Sequence, residues 1–146
     1  MKNFFISVFI VLFLPIKSFG LIEVDITRGN LNPLPIAVSA LSIDETSRKS
    51  FEKILKKKNI GIEISIIVEN NLKTSGLFNP LNKDAFLQAP DIANLKPRFE
   101  DWQLIKAQAL ITGKVSFVEE KLRVEFRLWD ILAGREMMAL AFTTVP

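Results

Sequence analysis

The sequence predicts an α/β domain in which helices pack on a mixed β-sheet. Segments with helical periodicity alternate with strand-like segments in the first two thirds of the chain, and three strand-like segments joined by short turns follow. Of the 146 residues, 49% are hydrophobic and 24% are charged, which is typical of one globular domain. We therefore expect a single domain after residue 20, with the element order β-β-α-β-α-β-β-β.

Residues 1–20 predict a secretory signal peptide. Lys2 gives the positive start, the apolar run of residues 4–16 follows, and Ser18 and Gly20 are the small residues expected before a cleavage site. This run covers about 13 residues, whereas a membrane-spanning helix needs roughly 20. We expect cleavage after Gly20 and export to a bacterial periplasm without membrane insertion. The alternative is an uncleaved, membrane-tethered protein.

The first part of the mature chain predicts extended structure. In Leu21–Ile26 apolar and acidic residues alternate, which indicates a short strand or an extended tail. A turn signal at residues 27–30 and a Pro-Leu-Pro break at residues 33–35 follow, and no helix can run through that break. Residues 36–41 then predict a short buried strand.

A helix over Asn59–Ser75 is the clearest helical prediction. Residues 42–58 before it are polar and charged, and a helical start is indicated at Phe51, Ile54 and Leu55. The apolar residues of the predicted helix recur at spacings of three and four and share one face; they are Ile60, Ile64, Ile67, Val68 and Leu72. Gly76 is placed to end this helix.

The middle of the chain predicts a short strand at Leu77–Leu81 and a helical turn at Lys83–Gln88. Residues 90–97 are predicted to be a connector. An amphipathic helix is predicted over Phe99–Gln108, with Phe99 and Trp102 on its apolar stripe. We expect both of these aromatic residues to belong to the core.

Three strands are predicted to end the chain. Ala109–Val118 is the first, and a tight connection at Glu119–Lys121 leads into the second. In Leu122–Trp129 apolar and charged residues alternate, which predicts one buried and one wet face. After a turn at residues 130–134, Arg135–Val145 is the last strand.

The residue types exclude most catalytic chemistry. The chain has no Cys, no His and no Tyr, so it lacks a thiol nucleophile, a thiolate metal site and an imidazole base. The carboxylate groupings are Glu119 with Glu120 and Glu125 with Asp130; the first pair is adjacent at a predicted turn, so its side chains do not converge. There is no glycine-rich phosphate motif. We predict no catalytic residue, no cofactor and no metal site, and the basic run at residues 56–58 lacks the aromatic residues expected of a nucleic-acid site.

The class of function that remains is recognition of a protein partner. The candidate site for it is the start of the mature chain. As a strand this segment has an apolar and an acidic face, and it can pair with a sheet edge. The alternative is that it forms the first strand of the domain. The candidate residues are Leu21, Ile22, Glu23, Val24, Asp25, Ile26, Thr27 and Arg28.

Several blocks of sequence in this order resemble a known family. The blocks are IEVDITRGN at 22–30, PLPIAV at 33–38, NLKTSGLFNPL at 71–81, FEDWQLIKAQALITGKV at 99–115 and FRLWDILAG at 126–134. They resemble the N-terminal domain of the TolB family, the periplasmic component of the Tol-Pal envelope system, over essentially all of residues 21–146.

The resemblance implies an anticodon-binding-domain-like α/β fold and a non-enzymatic role. TolB-like proteins link TolA of the inner membrane to the outer-membrane lipoprotein Pal, and they support outer-membrane integrity, constriction during division and protein import. In that family the mature N-terminal segment contacts the C-terminal domain of TolA. The matching residues here are Leu21 to Arg28.

The sequence departs from the family in one respect. TolB-like proteins continue into a β-propeller that carries most of the Pal-binding surface, and no propeller repeats follow here. We therefore expect a chain truncated before the propeller, and this places its Pal binding in question. Two alternatives remain open: a truncated or decayed fragment without full function, and an accessory α/β domain of an exported enzyme.

Overall fold

The structure is a computed structural model that describes residues 32–56 and 59–145. The strands are β1 (Leu34–Val38), β2 (Ser42–Ile43), β3 (Phe78–Pro80), β4 (Ala109–Val118), β5 (Lys121–Asp130) and β6 (Arg135–Thr144). The helices are α1 (Glu45–Ile54), α2 (Ile60–Thr74), α3 (Pro90–Leu95) and α4 (Phe99–Leu104), and a 3₁₀ turn covers Lys83–Ala85.

The strands form one mixed sheet with the order β3-β1-β4-β5-β6, and β2 also pairs with β4. β1 is parallel to β3 and β4, whereas β5 is antiparallel to both β4 and β6. The parallel pairs join strands that are far apart in sequence, and short turns join the antiparallel ones. The predicted α/β class with a mixed sheet is therefore confirmed.

Helices α3 and α4 cover one face of the sheet around a cluster of two tryptophans. Trp102 of α4 and Trp129 of β5 are 1% and 6% exposed. Phe99 is partly buried with its ring 6.1 Å from that of Trp129. Both aromatic residues of α4 thus pack in or against the core, as predicted.

Helices α1 and α2 cover the other face. Phe51 of α1 and Ile60 of α2 pack with Leu41 and Val115 in a second buried cluster. Val115 lies opposite Val124 in the antiparallel pair, so the two side chains share this face. We refer to this face as the α2 face, and to the opposite one as the tryptophan face.

Two helical predictions were wrong, and in both cases the signal that the prediction missed lies at the N-terminus of the helix. Pro90–Leu95 is a helix rather than a connector, with its proline in the first turn, where a missing backbone N–H costs no hydrogen bond. α1 begins at Glu45 instead of near Phe51. Its N-cap is Asp44, whose carboxylate accepts a 2.8 Å hydrogen bond from the backbone N–H of Ser47.

Two boundaries also differ from the prediction. α4 ends at Leu104 instead of Gln108, and Lys106 beyond it has a positive φ of 63°. In β5 the two predicted faces are present, because Val124 and Phe126 pack against the second cluster and the charged residues form surface ion pairs, but the predicted difference in burial is absent: residues 122–128 are half-buried on both faces. The helices on the α2 face therefore bury β5 less completely than they bury β4.

Asp44 also joins α1 to the centre of the sheet. Its second oxygen accepts a hydrogen bond from the Ser47 hydroxyl at 3.0 Å and lies 3.6 Å from the Lys114 ammonium. The Ser47 hydroxyl in turn accepts the backbone N–H of Phe117 at 2.9 Å. The hydrogen bond from the Ser47 backbone N–H, aided by Lys114, lowers the pKa of Asp44 below its ordinary value.

The start of α2 lies against the chain that leaves β1. The Leu41 backbone N–H donates to the Gly61 carbonyl at 3.1 Å. A Cβ on Gly61 would lie 2.2 Å from the Leu41 carbonyl oxygen, which is closer than real Cβ atoms come to a neighbour. A glycine is therefore needed here for its small size, although it lies in a helix.

We predict that Gly61→Ala destabilises the protein, although alanine is intrinsically favoured over glycine in a helix by about 1 kcal/mol. The new methyl group must push α2 from the Leu41 carbonyl, and such overpacking costs about 1–3 kcal/mol. Urea unfolding measures the change. Asn70→Ala at an exposed position of the same helix is the control, with an expected change within about 0.5 kcal/mol. A Gly61→Ala protein as stable as the control would contradict the close contact.

We predict that Asp44→Ala lowers the free energy of unfolding at pH 7 by about 0.5–2 kcal/mol, the usual value of an N-cap. The folded pKa of Asp44 is lowered, so its ionised form stabilises the protein above the unfolded pKa, and this contribution is lost as the pH falls through the folded pKa. The difference between the two proteins should therefore shrink below about pH 4. A difference that stays constant down to pH 2 would contradict this assignment.

Candidate interaction surface

The segment predicted to bind a partner, Leu21–Arg28, lies outside the described residues. The first described strand, β1, is paired along both edges, by β3 and by β4. No edge of β1 is therefore open to a preceding strand.

The structure keeps the predicted carboxylate groupings apart. Glu119 and Glu120 form the β4–β5 turn with φ angles of 50° and 61°, and both are exposed. Glu125 accepts a 2.7 Å hydrogen bond from Arg123, whereas Asp130 accepts the backbone N–H of Ala133 at 2.8 Å. The Glu125 carboxylate thus pairs with a surface arginine, and the Asp130 carboxylate accepts a hydrogen bond within a turn.

The described part of the chain contains neither a candidate metal site nor a membrane-spanning helix. Among residues 32–56 and 59–145 there is no group of three or more acidic side chains that could hold a metal ion. Within the same residues, no helix is long and apolar enough to cross a membrane.

An apolar surface lies at the β6 end of the sheet. All ten residues of β6 are exposed. Met138, Leu140 and Phe142 lie on the α2 face, opposite Leu128, Phe126 and Val124 of β5. The three β6 side chains are 49%, 48% and 56% exposed. They form a continuous apolar row, which we call the β6 row.

A shallow groove of about 250 Å³ separates the β6 row from helix α2. Its lining is almost entirely apolar and consists of Val68, Ile111, Phe126, Arg127, Leu128, Met138 and Leu140. Such a groove has the shape and polarity of a surface that contacts another apolar group.

The tryptophan face of the same two strands is polar. Arg127 donates to Glu136 at 2.9 Å, and Arg123 pairs with Glu125 at 2.7 Å. The β6 residues between these charges are small, namely Ala139, Ala141 and Thr143. The β6 end therefore has one apolar and one charged face.

The two edges of the sheet differ in their capacity to accept another strand. β3 has three residues and ends in Pro80, whereas β6 has ten residues and contains neither proline nor lysine. Among the described strands, β6 pairs with β5 alone. Natural edge strands are usually short or protected by charges and proline, so a long apolar edge marks a site where strands can add.

The sequence prediction missed this surface. It gave the last strand as Arg135–Val145 without placing it at an edge. The available signal was the alternation of large apolar residues with alanines after Met137, which leaves no bulky polar side chain on either face.

The chain is similar in sequence to one known protein family. A family model described as the TolB amino-terminal domain matches residues 22–137. The Tol-Pal system protein TolB of Pelagibacter ubique (strain HTCC1062) is 78% identical over 133 residues, which is 91% of this chain and 30% of that protein. The chain thus spans less than a third of the length of this relative.

Solved structures share the fold at low sequence identity. TolB from Acinetobacter baumannii superposes with a TM-score of 0.54 at 19% identity, covering 78% of this chain and 23% of that one. The LpoB C-terminal domain from Escherichia coli gives a TM-score of 0.56 at 12% identity, covering 82% of this chain and 87% of that one.

Proposed function

Because the chain belongs to the TolB amino-terminal domain family, we propose that it acts as a non-catalytic adaptor domain of the Tol-Pal system. The observation that carries the proposal is the 78% identity to a protein named for that system. The absence of Cys and His from the sequence supports a role in binding over one in catalysis.

The proposed location is the periplasm. The apolar run at residues 4–16 and the small residues Ser18 and Gly20 support export and cleavage. The match to the family model begins at Ile22, two residues after the predicted cleavage site. The mature protein would then begin with the family domain itself, at Leu21.

We assign the contact with the C-terminal domain of TolA to Leu21–Arg28. Ile22, Val24 and Ile26 would form one face of an added strand, and Glu23 and Asp25 the other. Strand addition supplies affinity through main-chain hydrogen bonds and specificity through alternate side chains. The acidic side chains favour a basic partner surface and binding that weakens in salt.

The wider role follows from this contact. Through TolA the domain would take part in the link from the inner membrane to the lipoprotein Pal, and so in outer-membrane integrity, constriction at division and protein import. The resemblance assigns most of the Pal-binding surface to a β-propeller, which is not part of the domain at residues 21–146. For this domain we therefore propose the TolA contact.

Deletion of residues 21–28 tests the assignment. The full chain and the deletion variant are expressed, and their periplasmic products are purified. β1 is flanked by β3 and β4, so the deletion should leave the unfolding midpoint nearly unchanged. Calorimetric titration with the TolA C-terminal domain should show at least about a tenfold loss of affinity, or about 1.4 kcal/mol. Retained binding, or a collapsed fold, would refute the proposal.

Charge reversal provides a matched pair of variants. Glu23→Lys with Asp25→Lys should weaken TolA binding. Glu119→Lys with Glu120→Lys makes the same change of net charge at the exposed β4–β5 turn and should leave binding unchanged. Equal losses in both variants would mean that the net charge, and not the segment, governs the affinity.

A further inference from the structure

We draw no further inference here: the strongest candidate, the cavity of about 420 Å³ between the N-terminus of α2, the β1–β2 connection and the start of α3, combines a helix N-terminus with the exposed side chains of Arg48, Asn59 and Asp91, and nothing in the described part of the chain points to a ligand for it.

Discussion

Strand β4 is the element on which the rest of the structure depends. It pairs with β1, β2 and β5 and is packed on both faces. Leu110 and Thr112 face the tryptophans and Val115 faces α1 and α2, and all three have no exposed surface. The Thr112 hydroxyl accepts the Trp129 indole N–H at 2.9 Å, so the polar atom of the second core tryptophan is satisfied at β4. A change in β4 therefore disturbs both clusters at once, and β5 is the other strand that contributes to both, through Trp129 on one face and Val124 and Phe126 on the other.

Burial decreases from β4 towards β6. The helices lie over β1, β4 and part of β5, and the ten residues of β6 are exposed on both faces. Strands β1 to β5 and the two clusters thus form the buried part of the domain, and β6 is an exposed strand at its edge. The proposed TolA contact at residues 21–28 precedes β1 in the chain and is therefore separate in sequence from the packing around β4.

The sequence predicts the local elements of this fold better than their arrangement. The alternation in residues 109–145 and the apolar spacing over residues 60–72 are strong, and β4, β5, β6 and α2 were predicted with nearly correct bounds. α1 was missed at its start because residues 45–50 are polar, although Asp44 with Glu45 is an N-terminal capping signal. The order of strands could not be predicted, because the parallel pairs join residues far apart in sequence, such as Ala37 with Leu110. The edge position of β6, and with it the apolar surface, follows from that order.

The proposed contact of Leu21–Arg28 with TolA requires that the described domain keeps its structure when the partner binds. Hydrogen exchange measured by mass spectrometry tests this most directly. On addition of the TolA C-terminal domain, new protection should appear in peptides that cover residues 21–28, and peptides from β4 and β6 should exchange as before. New protection in β6 with none in residues 21–28 would contradict the account.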